Sequence, residues 1–204
     1  FLEMIRAELD GRSGALLYVE VPSTARIAAE GAFWDVYYEH CAYFDAESLT
    51  QLLRRSGFDP VEVRLDYDDQ YLIAYATVAQ PVDSVVPHPE PLDFSSMTAN
   101  VAAWRRWVED RHAAGERVAV WAASSKAVAL LSMVGEFDPA VAVDINPAKT
   151  GRFLPASAAA VIHPDELGDH HVDAVLIMNP IYADEIRTTL AALGLSPALW
   201  GMDA

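Results

Sequence analysis

From Arg117 onward, short β-rich runs alternate with helical patterns: RVAVWAA, AVAVDI, AAAVI, DAVLIM and PALW, with SSKAVALLSMVG and ADEIRTTLAALG between them. Strands that alternate with helices at this pitch imply a parallel sheet with helices packed on its faces. The strands are too few for a large barrel, so the expected fold class is α/β, with a small doubly wound domain in the second half. A helix, MTANVAAWRRWVEDRHAAG, leads into it.

The first half reads differently. FLEMIRAEL places Phe1, Leu2, Ile5 and Leu9 at helical spacing before Asp10-Gly11. ALLYVEVP is nearly continuously apolar, as in a central strand buried on both faces, and Pro22 ends it. AESLTQLLRRSGF reads as a helix stopped by Gly57, and VEVRLDYDDQYLIAYATV as a hairpin turning through Asp66 to Gln70. Between strand and helix, Ser23 to Asp45 is expected to be a long loop, the kind of segment that carries function in α/β folds. Pro81, Pro87, Pro89 and Pro91 mark residues 80–96 as a linker, which separates a block at 1–79 from a domain at 97–204.

Charge excludes some partners. Thirty acidic against 14 basic side chains give a formal net charge of −16 over 204 residues, which repels nucleic acid and anionic membrane surfaces alike. A small anionic ligand is still compatible, since a few local donors outweigh a distant field. The single cysteine, Cys41, makes no internal disulfide and no thiolate zinc cluster. No leader-like stretch opens the chain and no apolar run reaches the roughly 20 residues of a membrane span, so a reducing cytoplasmic location is expected. The chain begins at Phe1 within a helical pattern, as a fragment or processed product would.

Three places hold candidate chemistry. After Val118–Trp121 the turn AASSKA opens a helix, where free N–H groups and Ser124, Ser125 and Lys126 would suit a phosphate. Ala122 and Ala123 stand where a dinucleotide fingerprint has glycines, and an ordinary serine-capped helix fits the same residues. In VDINPAKTGRF, Asp144 or Asn146 would reach a ribose, and Lys149 and Arg152 a phosphate; MNPIYADEI repeats the Asn-Pro step at Asn179, with Tyr182 behind it. Capping of the following helix is the more common fate of either asparagine. Third, FWDVYYEHCAYF concentrates Tyr37, Tyr38, Glu39, His40 and Tyr43. His40 there is suited to proton transfer near neutral pH, with Glu39 or a tyrosine to orient it, although core aromatics and a hydrogen-bonded histidine account for the same composition.

Taken together, YVEVPS, FWDVYYEHCAYF, SLTQLLRRSGF, QYLIAYA, VWAASSKAV, VDINPAKTGRF and MNPIYADEI resemble the S-adenosylmethionine-dependent sugar C-methyltransferases, which add branching methyl groups to nucleotide-linked deoxysugars. The resemblance implies the closing half of a class I methyltransferase Rossmann-like domain, followed by a smaller Rossmann-like parallel-sheet domain that holds the nucleotide sugar. It places a zinc segment and the glycine-rich S-adenosylmethionine loop before Phe1, so that no metal is expected here and the fragment alone would not methylate. It gives His40 the part of general base, with Tyr37 and Glu39 as its partners, in a reaction through an enolate. The nucleotide would then meet Ser124, Ser125, Lys126, Asn146, Lys149, Arg152, Asn179 and Tyr182. The chain departs from the family near Ala122, where members carry glycine, and in RFLPASAAAVIHP, where members continue RF-[IL]-PGTGHP. A non-catalytic nucleotide-sugar-binding module is the alternative, and the absence of any GxGxxG disfavours an NAD-dependent dehydrogenase.

Overall fold

The computed structural model describes residues 1–12, 14–82 and 91–202. Pro87 and Pro89 of the expected linker lie outside the described residues. The chain divides into two units, Phe1–Ala32 with His40–Met97 and Phe33–Glu39 with Thr98–Ala204.

The first unit is built on three antiparallel strands, β1 (Leu16–Pro22), β2 (Phe58–Asp66) and β3 (Tyr71–Val78), in the order β1-β3-β2. Helix α1 (Leu2–Glu8) precedes β1. Helix α3 (Ala46–Arg55) supplies Leu49 and Leu53 to a core with Phe58, Leu72, Ala74 and Ala76, onto which Leu2, Ile5 and Leu9 pack. Its start is fixed by a reciprocal cap. The Asp45 carboxylate accepts from the Ser48 amide at 2.7 Å, and the Ser48 hydroxyl accepts from the Asp45 amide at 3.0 Å. Gly57, at φ +82, turns the chain from α3 into β2 so tightly that a Cβ there would lie 3.3 Å from the Ala79 carbonyl.

Two expectations for this unit are corrected. ALLYVEVP forms β1, but at the edge of the sheet, with Leu16 and Tyr18 about half exposed. Its continuous apolar character does not reflect burial on both faces. Residues 23–45 are also not a single long loop. They contain helix α2 (Thr24–Glu30), capped by the Ser23 side chain on the Arg26 amide at 3.3 Å and ended by Gly31 at φ 63, and a 3-10 turn at Phe33–Asp35. A serine, four apolar residues in a helical stretch and a left-handed glycine are ordinary helix punctuation.

The second unit is a five-stranded parallel sheet in the order β6-β5-β4-β7-β8, made of β4 (Val118–Trp121), β5 (Val141–Val143), β6 (Val161–Ile162), β7 (Ala174–Ile177) and β8 (Ala198–Gly201). Every residue of β4, β5 and β7 is buried, as continuous apolar strands of a parallel sheet must be. Helix α5 (Ser125–Val134) follows β4, and α6 (Ala183–Ala192) follows β7. Helix α4 (Ser95–Ala113) carries Trp107 edge-on to Trp200 of β8 at 5.7 Å, with the Arg111 guanidinium over both rings. The chain runs outward from β4 to β5 and β6, then returns to β7 on the other side. The strand order therefore reverses between β4 and β7, a doubly wound arrangement with its crevice at their carboxyl ends. Among the described residues, no helix is long and apolar enough to cross a membrane.

Three alanines hold the left-handed backbone that favours glycine: Ala122 at φ 92, directly after β4, and Ala156 and Ala158 at φ 75 and 59. The latter two lie in the tight turn between the bridged residues Phe153 and Ala160. The backbone path is glycine's while the residue is alanine, which stores about 1–2 kcal/mol at each position.

Two stability changes follow. Ala122→Gly relieves that strain, offset in part by glycine's greater unfolded freedom, and should raise stability by about 1 kcal/mol, read as a higher urea midpoint for the second unit. Asp45→Ala removes the α3 cap and should lower the stability of the first unit by about 1 kcal/mol. The Ser48 hydroxyl and then the Ser48 amide, both donating to Asp45, hold its pKa below the ordinary aspartate value. A depressed folded pKa means that this stability is fully present above the unfolded pKa of about 4. It is lost as pH falls through the lower folded value. The gap between Asp45→Ala and the unsubstituted protein should therefore be constant from pH 5 to 8, and shrink in urea titrations taken at progressively more acidic pH.

Candidate functional site at the carboxyl edge of the parallel sheet

The crevice edge is organised by Asp144, which ends β5 with only 8% of its surface exposed. Its carboxylate accepts from the Ala123 amide at 3.1 Å, the Asn146 amide at 2.9 Å and the Lys149 ammonium at 2.7 Å. Lys149 also donates to the Ala123 carbonyl at 2.8 Å. The turn after β4 is thereby tied to the turn after β5, with Ala122 donating its own amide to Val143 at 2.8 Å. A carboxylate offers roughly four acceptor positions, and three are taken here. Asp144 is thus a structural clamp at the position where a dinucleotide fold would present an acid to a ribose.

Segment Phe33–Glu39, although it is drawn from the first half of the sequence, belongs to this second unit. Phe33 and Trp34 are buried, edge to face at 5.1 Å, and the 3-10 turn packs against α5. Asp35, 7% exposed in its side chain, pairs with the Lys126 ammonium at 2.8 Å, and Lys126 is itself only 13% exposed. Four residues further on, the Glu39 carboxylate accepts from the Ser125 hydroxyl at 3.0 Å. Two adjacent side chains in the first turn of α5 thus hold the two ends of the segment. Tyr37 lies between these anchors, half-buried, while Tyr38 is almost fully exposed. His40, the next residue, falls in the first unit, half-buried and edge-on to Tyr43 at 6.1 Å.

The other sequence candidates take these places. Ser124 is the N-cap residue of α5. The Asn146 side chain accepts from the Ala148 amide at 3.0 Å, and that of Asn179 from the Ile181 amide at 3.4 Å, so both Asn-Pro steps close short turns. Asn146 and Arg152 are exposed after β5, and Asn179 and the exposed Tyr182 follow β7, at the same carboxyl edge. Ser125 meets Glu39, and Lys126 meets Asp35, which is not among the candidates the sequence offers. An acid following two large aromatics carries no recognisable signal before its partner is known.

Comparison with known proteins agrees with this architecture. Residues 93–196 match the family described as the C-methyltransferase C-terminal domain. The C-methyltransferase NovU of Streptomyces niveus is 27% identical over 191 residues, an overlap of 84% of this chain and 46% of that protein. The chain therefore spans about half the length of this curated relative. Half of the chain lies within the family match, on the doubly wound unit described above, and the chain belongs to the C-methyltransferase family through this C-terminal domain.

Proposed function

We propose that this chain is the substrate-handling part of an enzyme that methylates a carbon of a keto-deoxysugar nucleotide through an enolate. The observation that carries the reading is the hydrogen bond from Ser125 to Glu39, which holds the tyrosine and acid of FWDVYYEH at the turn after β4, on the crevice edge of the doubly wound sheet. Tyr37 and Glu39, two of the residues proposed for the chemistry, are thereby part of the unit that carries the crevice edge.

On this reading the first unit is the closing half of a class I methyltransferase domain. The antiparallel order β1-β3-β2, a strand followed by helices and then a hairpin whose last strand inserts between the other two, supports it. So does the partly exposed edge of β1, which is open to a further strand. Among the described residues no strand end is followed by a glycine-rich turn, so the residues present do not fit S-adenosylmethionine.

What the chain's own residues do is remove a proton and hold charge. The His40 imidazole accepts the proton from the ring carbon beside the ketone, as general base. Tyr37 donates toward the enolate oxygen, and Glu39 orients the base. The nucleotide is assigned to Ser124, Asn146, Arg152, Asn179 and Tyr182 along the edge of β4, β5 and β7. Lys149 shapes that edge through its bond to Asp144.

The test is methyl transfer by the full-length protein to a thymidine-diphosphate keto-deoxysugar. His40→Ala should lower kcat by about 10²- to 10⁴-fold, the range for loss of a general base, and should stop exchange of the ring proton into deuterated solvent. Full activity in that variant removes His40 from the mechanism. Calorimetry on the chain itself tests the substrate: failure to bind any nucleoside-diphosphate sugar removes the assignment of the edge.

A further inference from the structure

The first turn of α5 holds two side chains whose chemistry suits a phosphate, yet both are turned onto the protein itself. We infer that Lys126 and Ser125, with Asp35, are positioning residues that fasten the Tyr37–Glu39 segment to the second unit; this rests on the reading of that segment as the catalytic loop.

Three features support the assignment. The Asp35–Lys126 pair, at 2.8 Å, is almost wholly withdrawn from water, and a buried ion pair of this kind fixes the geometry of the two elements that carry it. Phe33 and Trp34, buried beside it, prevent the segment from swinging away as a polar loop would. The second anchor, Ser125 to Glu39, acts directly on a residue proposed to orient the base. Tyr37 is two peptide units from the anchor on either side, Asp35 and Glu39, which confines its hydroxyl within a small volume. A catalytic group displaced by about 1 Å loses on the order of a hundredfold in rate. Two tethers from one helix turn therefore set the geometry of the reaction without touching substrate.

The experiment is a double-mutant cycle with Asp35→Asn and Lys126→Met, read in two ways. On this chain, amide exchange in residues 33–39 should quicken about tenfold in either single variant and no further in the double variant. Exchange in Val118–Trp121 and Ala174–Ile177 should hold at the unsubstituted rate. In the full-length protein, kcat should fall about tenfold or more, with KM for the nucleotide sugar within about twofold. Ser125→Ala, which removes only the outer anchor, gives the same pattern for Tyr37–Glu39 in a variant whose buried pair is intact. Unchanged exchange at 33–39 in all variants overturns the tether. A KM that rises about tenfold in Lys126→Met with kcat held makes Lys126 a substrate contact and overturns it as well. If the unsubstituted full-length protein transfers no methyl group, the proposed function falls, while the exchange results still decide whether the tether exists.

Discussion

Burial of β4, β5 and β7 on both faces is the constraint from which the second unit follows. Strands without a polar face need helices above and below, and only parallel strands joined by crossover helices supply both covers. Once the faces are sealed, polar groups that must act on a ligand are left with the strand ends. The reversal of order between β4 and β7 separates the two following turns and gives those groups a crevice to line. Fold and site are in this sense one decision, made by runs as short as AVAV and AVLI.

At that edge the polar residues divide into those that hold and those that face outward. Asp144 and Lys149 bind the turns after β4 and β5 into a single piece, and Asp35 and Lys126 do the same for the segment drawn from the first half. The Asp35–Lys126 pair is mostly withdrawn from solvent, where an ion pair fixes geometry more than it adds stability, while Lys149 reaches the buried Asp144 carboxylate from a side chain still 41% exposed. Asn146, Arg152 and Tyr182 stay exposed to solvent. The left-handed backbone at Ala122, directly after β4, lies at the same edge. It keeps a path natural to glycine while presenting a methyl group, which narrows how closely any ligand can approach the backbone there.

The parts of this architecture legible in the sequence were those governed by local pattern. The alternation after Arg117, the hairpin through Asp66–Gln70 and the stop at Gly57 each depend on residues close together in the chain, and each lies where the sequence placed it. Helix α2 also carries local signals, Ser23 before it and Gly31 after it. The position of β1 was not legible: an apolar run reads the same whether both faces are covered or one edge is open, and only pairing partners decide. Nor were the tethers. Ser125 and Glu39 are 86 residues apart, and a serine and lysine after a strand look like a phosphate site until the residues that occupy them are known. Chemistry-bearing residue types were identifiable from sequence, but which of them face a ligand is a property of long-range pairing.

The capture of Phe33–Glu39 by the second unit also bears on what counts as a module here. A boundary drawn along the sequence at the proline-rich stretch separates two blocks neatly, but a boundary drawn by packing leaves Phe33 and Trp34 on the far side of it. Exchange of the sheet-bearing block between relatives by recombination at the prolines would deliver a domain with the seat for two large aromatics empty and Lys126 buried without its acid. Inheritance of the two blocks is thereby coupled: a change of substrate specificity in one must remain compatible with seven residues encoded in the other.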